Sequence, residues 1–341
     1  MIASRLSALL LALALTQPAL AQTSSAQNDA PGANPIIRDV FTADPAALVV
    51  GDTVYLYAGR DESNNDKYLM HEWRAYSSTD MKHWKPHGVV LKPTDFTWST
   101  GDAYASQVVE KDGKFYFFAT AKWRGDANNR PTMAIGVAVS DSPTGPFVDT
   151  RGTPLITNDM TPQGKHGWSD IDPTVLIDDD GTAWMMWGNE NLFLVKLKPN
   201  LSELDGPIEE IKLPHYTEGP WLHKRGNMYY VTYASWDKGD DGEYMSYATA
   251  PSVKGPWTHR GVLTGKAHNS NTIHPAIIEF KGNSYFFYHD GGLTLKDKDG
   301  NDLKGGSYRR AVRVEHMYYN ADGTIKPIAQ TADGVSKPPV P

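Results

Sequence analysis

Cysteine is absent from the 341 residues. That excludes disulfides, thiolate nucleophiles, zinc knuckles and a lipidated N-terminal cysteine together, so stability in an oxidising compartment must come from packing. An excess of positive charge is also missing. There are 33 Lys and Arg against 40 Asp and Glu, a net charge of −7, and no long basic run. Neither a nucleic acid nor an anionic membrane surface is therefore expected as a partner. Long apolar runs are missing except at the start. There Arg5 precedes the stretch from Leu6 to Leu15, broken only by Ser7, and Pro18 and Ala19-Leu20-Ala21 follow. A bilayer span needs about 20 apolar residues. A basic start, a short apolar stretch and a small-x-small site read instead as a secretory signal over residues 1–21. The expectation is a secreted or periplasmic protein that begins at Gln22 with a polar tether over 22–33 and has no membrane contact after cleavage.

What is present is aromatic and glycine-rich. Ten Trp, seventeen Tyr and thirty Gly accompany 40% apolar residues, ample for a large core. Helical periodicity is scarce after residue 34. Short runs of Val, Ile, Tyr, Phe and Trp alternate with Gly, Pro, Asp and Asn, which predicts an all-β fold.

Five segments repeat one pattern: a polar residue, an apolar strand, a turn containing glycine and an aromatic strand. They open at Asp44-Pro45, Ser106-Gln107, Asp172-Pro173, Glu218-Gly219-Pro220 and His274-Pro275, and their turn glycines fall at 51, 113, 181, 226 and 282. Three carry a second turn signal downstream, at Ser78-Thr79-Asp80, Ser140-Asp141-Ser142 and Ala248-Thr249-Ala250. The second pair of the fourth unit is expected over Glu243–Leu263. The last unit is expected to use Arg310–His316 and Met317–Ile328, turning at Asp322-Gly323. Two hairpins per unit, five times over, predict a five-bladed β-propeller of four-stranded antiparallel blades over 34–330, with a tail over 331–341. Coincidental glycine turns in a β-sandwich would not recur in phase.

In a propeller the first strand of each blade lines the axis, so the five opening residues should ring one mouth. Each alone has an ordinary reading: Asp-Pro starts turns, Glu-Gly-Pro faces solvent, and a lone histidine is a satisfied core residue. Converging carboxylates raise one another's pKa and lose solvation. A fold keeps such a cluster for acid–base chemistry, metal binding or both. Asp297-Lys298-Asp299-Gly300-Asn301-Asp302 lacks the glycine spacing and closing Glu of an EF-hand and reads as an exposed turn.

In ordered series the motifs resemble glycoside hydrolase family 43. They are Thr42-Ala43-Asp44-Pro45, Ile171-Asp172-Pro173-Thr174, Trp187-Gly188-Asn189, Glu218-Gly219-Pro220-Trp221, Asn271-Thr272-Ile273-His274-Pro275 and Tyr308-Arg309-Arg310-Ala311-Val312. The resemblance implies an inverting glycosidase on a five-bladed propeller. Asp44 would be the general base, Glu218 the general acid, and Asp172 the carboxylate that orients Glu218 and raises its pKa. Arg310, or Arg309 beside it, would reach the sugar, and Tyr104 and Trp98 would wall it. His274 would sit near a divalent cation, most often calcium. The expected substrates are hemicellulose-derived oligosaccharides, cut from the end because the stretch 59–104 could close the mouth. β-Xylosidase is weighed ahead of α-L-arabinofuranosidase or an arabinan-degrading enzyme. A non-catalytic carbohydrate-binding propeller is the rival of another class, and a retaining fructoside enzyme a third reading.

Overall fold

The computed structural model describes residues 29–63, 67–125 and 132–340. The expected signal and most of the tether lie outside them. Among the described residues no helix is long and apolar enough to cross a membrane.

The five repeats become five antiparallel sheets. Blade one is Thr42–Val50, Thr53–Arg60, Trp73–Ser78 and Lys85–Leu91; blade three is Thr174–Ile177, Ala183–Trp187, Leu192–Leu197 and Glu209–Ile211; blade four is Tyr216–Arg225, Met228–Ser235, Tyr244–Ala250 and Thr258–Thr264. Each pairs in sequence order, four strands apiece. All five turn glycines have positive φ, between 56° and 82°; four sit in two-residue hairpin turns, which demand that left-handed region, and Gly181 in the longer loop 178–182. Aromatic side chains fill the spaces between neighbouring sheets. Tyr57, Trp73, Phe117 and Phe147, for example, meet edge-on or tilted between blades one and two.

Two blades depart from four continuous strands. Blade two is Ser99–Lys111, Lys114–Trp123 and Thr132–Ser140, and its outer edge is split into Val148–Asp149 and Ile156–Thr157. Gly152, at φ 68°, and Pro154 lie in the break, and proline offers no ladder donor. Blade five has three strands, Ala276–Phe280, Asn283–Asp290 and Ala311–Met317. The expected fourth strand does not form. The outer edge of Ala311–Met317 is taken by the chain start: Ile36 donates its N–H to the Val312 carbonyl and Val314 donates to Asn34 Oδ1. Residues 317–328 instead make a hairpin turn bridged at Tyr319 and Ile325, and the Ile328 N–H crosses to the Leu263 carbonyl of blade four. The Asp297–Asp302 turn joins a small hairpin, Thr294–Lys296 with Asp302–Lys304, and is exposed.

Of the expected tail, residues 331–336 are docked. Val335 is buried, and its N–H meets the Gly32 carbonyl. Glu315 ties both chain ends to blade five: it accepts from Asn34 Nδ2 (2.9 Å), the Thr331 N–H (2.7 Å), Thr331 Oγ1 (2.9 Å) and Tyr288 Oη (3.1 Å). Burial pushes its carboxyl from 4.5 up to about 7 against those bonds. The folded chain thus holds a proton that the unfolded chain releases, so stability should fall as pH rises between these two values. The expected size is about 3 kcal/mol. Glu315→Gln keeps an acceptor for the ties and removes the titration. Its thermal unfolding should lose that slope between pH 5 and 7, and an unchanged slope would refute the assignment.

Candidate active site

The site grows from irregularities at the starts of the inner strands. Ladder register shifts between Ala43 and Ala46, between Ala103 and Ser106, and on both sides of Glu218. Such bulges re-aim side chains. Asp44 and Asp172 adopt φ of 54° and 60°, a left-handed conformation that aspartate tolerates better than most residues. The prolines that follow them withhold a ladder donor. The carboxylates are thereby turned from the blade face toward the axis.

Asp44, Asp172, Glu218, His274, Arg310 and Tyr104 all line one cavity of about 480 Å³ at one end of the axis. The His274 imidazole joins three of them. Its Nδ1 lies 3.2 Å from Asp44 Oδ1, and its Nε2 lies 3.1 Å from Glu218 Oε1 and 3.8 Å from Asp172 Oδ2. This close packing needs a glycine: a Cβ on Gly219, at φ 57°, would fall 2.9 Å from the His274 ring. Asp172 is anchored by the backbone. Its N–H donates to Thr120 Oγ1 and its Oδ2 accepts the Gly219 N–H, both at 3.0 Å. The Asp44 N–H donates to His289 Nδ1 at 3.1 Å. Burial, with Arg310 and His274 nearby, drives His289 well below its usual range. It is therefore neutral, and its Nε2–H donates to Thr272 Oγ1.

Arg310, rather than Arg309, enters the site. Nη1 donates to Asp44 Oδ1 at 3.0 Å, Nε and Nη2 clamp Asp61 at 2.9 and 3.0 Å, and the guanidinium lies over the Tyr68 ring. Among the described residues Arg309 bonds only through its backbone, to Gly306. Trp98 is not brought to the cavity. It is buried in the core against Phe96, over Gly136, where a Cβ would come within 2.5 Å of its ring. The aromatic walls are instead Tyr68, Tyr104, Trp168 and Trp236, of which Trp168 and Trp236 are exposed at 54% and 39%. Of the second opening pair, Ser106 lies beneath the cluster, whereas Gln107 Oε1 accepts the Val175 N–H and ties blade two to blade three.

Other residues at the site carry no singular sequence signal. Asp61 sits in a charged stretch after a strand, and Glu243 ends the acidic run Asp240-Asp241-Gly242-Glu243; both patterns usually mean solvated surface. Glu243 is nonetheless buried in the cavity wall. Asn189 donates from Nδ2 to Glu218 Oε2, and only its place in a motif pointed to it.

The electrostatics differ from expectation in one respect. Burial works against charge on His274, but Asp172, Asp44 and the hydrogen bond to Glu218 outweigh it and raise its pKa to about 10. Burial, with Glu218 and Asp44 adding to it and His274 opposing, raises Asp172 to about 8. Burial also raises Glu218, but the bond to His274, its charge and the Asn189 amide reverse the net direction to lowered. The sequence reading has Asp172 lifting Glu218; the adjacent imidazolium overrides it. Glu243 is raised well above its range by burial and by the Glu218 charge.

Ligand atoms of Asp172, Glu218 and His274 lie within 4.8 Å of one another. Beneath them a void of about 20 Å³ is lined by Asp44, Asp172, His274 and Ser106, whose buried Oγ has no hydrogen-bond partner among the described residues. That is room for one water or ion, and carboxylate oxygens with an imidazole suit a hard divalent cation.

Comparisons with known proteins point to one family. The chain is 28% identical to a xylosidase/arabinosidase 43A of Humicola insolens, over 85% of this chain and 98% of that one. It is 27% identical to the β-D-galactofuranosidase xynD of Aspergillus niger, over 96% and 93%. Among solved structures it is similar to a family 43 β-xylosidase/α-arabinofuranosidase from a compost microbial metagenome, in complex with xylotriose in a calcium-free form. The TM-score is 0.73 at 28% identity, covering 88% of this chain and 98% of that one. The pattern of the glycosyl hydrolases family 43 matches residues 33–325. With five blades converging on acidic side chains and family-wide similarity along nearly the whole propeller, the chain belongs to glycosyl hydrolase family 43 and is a glycosidase.

Proposed function

We propose that this glycosidase is exported and removes terminal pentose from xylan-derived oligosaccharides by inversion, β-D-xylose first and α-L-arabinofuranose second. One observation carries the reading: Asp44 and Glu218 meet opposite nitrogens of a single imidazole at the floor of one cavity. A ring width plus two contacts is the order of separation, roughly 6.5–9.5 Å, that admits a water for inversion. Asp44 takes the proton of that water as it attacks the anomeric carbon. Glu218 gives a proton to the departing glycosidic oxygen. A sugar that displaces water from the cavity further penalises the ionised carboxylate, moving Glu218 in the direction its role needs. Asp172 acts through the Gly219 N–H, fixing the backbone beside Glu218. Arg310 holds Asp44 and offers donors to sugar hydroxyls. Tyr104, Tyr68, Trp168 and Trp236 supply apolar ring faces. Tyr68 and Tyr104, from the stretch 59–104, wall the cavity, which favours cutting at a chain end. The names of the xylosidase/arabinosidase relatives support pentose release.

His274, with Ser106 below it, would hold a divalent cation, for which we propose calcium. A bound cation would supply fixed positive charge beside the carboxylates. His274 must be neutral to ligate it.

A panel of nitrophenyl glycosides tests the reading: β-xyloside, α-L-arabinofuranoside and β-galactofuranoside, each with and without chelator. The β-xyloside should be the best substrate, and NMR should show α-xylose as the first product. Chelation should lower turnover by roughly tenfold or more, and calcium should restore it. A retained anomer, or long internal fragments from polymer, would overturn the proposal.

A further inference from the structure

We infer that Glu243 is a positioning residue for Glu218, holding the acid's carboxyl in the plane from which it protonates the leaving oxygen. The inference rests on Glu218 being that acid. Glu243 precedes the third strand of blade four, is only 2% exposed, and lies in the cavity wall. Burying a carboxyl away from water is costly unless every oxygen finds a partner. Glu243 finds them in two places. Its Oε2 accepts the Ile273 N–H at 3.1 Å, and its own N–H donates to the Asn271 carbonyl at 3.0 Å. It thereby clips the segment that carries His274 to blade four. Its side chain shares the cavity wall with Glu218, close enough for the two carboxyls to interact electrostatically.

Among the described residues, Asn189 of blade three meets Glu218 Oε2, His274 of blade five meets Oε1, and Glu243 lies in the same cavity wall on the acid's own blade. Gly242 eases the approach, because a Cβ there would crowd the Ser270 carbonyl at 3.3 Å. Glu243 neighbours the acid and fixes the loop bearing His274, which meets Glu218 Oε1. Removing it loosens the Glu218 carboxyl on both counts, whereas Asp44 keeps its bonds to Arg310 and His289. The loss should therefore fall mainly on proton delivery.

Leaving groups separate that role from a general structural one. A dinitrophenolate departs without proton help, whereas a sugar alkoxide does not. Glu243→Ala should lower kcat on xylobiose by roughly 10–100-fold. It should leave 2,4-dinitrophenyl β-xyloside within about threefold of the parent, with KM little changed. Glu243→Gln, which can accept from Ile273 and donate to Glu218, should restore xylobiose turnover to within about threefold of the parent. Equal losses on both substrates, or a Gln variant no better than Ala, would overturn the inference. Should the Ala protein fail to fold, Glu243→Asp provides the same comparison. It keeps the carboxyl but not its reach, and should be slowed on xylobiose only. Glu218→Ala is run alongside. A steep leaving-group dependence there with a flat one in the Glu243 variants overturns this inference alone; a flat profile in Glu218→Ala removes the acid assignment and this inference with it.

Discussion

Asp44→Asn should lower kcat by a factor of roughly 10³–10⁴ while the protein stays folded, because it removes the group that accepts the water's proton. The amide oxygen can still accept from Arg310 Nη1, the bond Asp44 Oδ1 makes at 3.0 Å. The backbone N–H to His289 is untouched. The substitution therefore deletes basicity and little else, and KM should move little. Unlike the Glu243 and Glu218 variants, this one should lose activity to the same degree with good and poor leaving groups, since nucleophile activation does not depend on what departs. Azide needs no deprotonation to attack, so it should restore turnover and yield a glycosyl azide of inverted configuration. Steady-state kinetics on nitrophenyl and dinitrophenyl xylosides, with product NMR, decide it. Turnover within tenfold of the parent would remove Asp44 from the role of base.

The reach and the limits of the sequence both follow from locality. The turn glycines and the Asp-Pro, Glu-Gly-Pro and His-Pro openings are local features. Their five-fold phase was enough to predict the blades and to bring Asp44, Asp172, Glu218 and His274 to one mouth, where the structure has them. Blade five's outer edge is not local. Its partner is Asn34–Ile36, nearly 280 residues away, so a downstream hairpin looked like the fourth strand. Glu243 and Asp61 lie in acidic or charged stretches whose usual meaning is solvent, and only the fold shows them buried. Trp98 precedes the strand that carries Tyr104, but the missing Cβ of Gly136 opens a core slot for its indole. The direction of Glu218's shift was illegible for a similar reason. It turns on an imidazole 3.1 Å away that is donated by the next blade.

Asp61 is the residue whose loss should cost most stability. Its carboxylate accepts three bonds from Arg310, from the backbone N–H (2.8 Å), Nε (2.9 Å) and Nη2 (3.0 Å), with no side-chain exposure. Asp61→Asn leaves a buried guanidinium with Asp44 as its remaining anionic contact. Breaking one side of a buried pair costs about 3–5 kcal/mol, a drop in Tm on the order of 10 °C for a domain of this size. The freed guanidinium should also lean further onto Asp44, drawing the base away from its water and raising KM as donors to the sugar are misplaced. Replacing both partners with apolar residues of similar volume, Asp61→Leu with Arg310→Met, removes the unpaired charge instead of exposing it. Such exchanges are often neutral for stability. The double variant should therefore recover much of the lost Tm and none of the lost activity, and the coupling between the two positions should be large and positive for stability alone. Thermal unfolding and kinetics of the two singles and the double measure it. A single variant within about 2 °C of the parent would mean that Arg310 has another counter-charge. A double variant that regains turnover would mean that Arg310 holds no sugar.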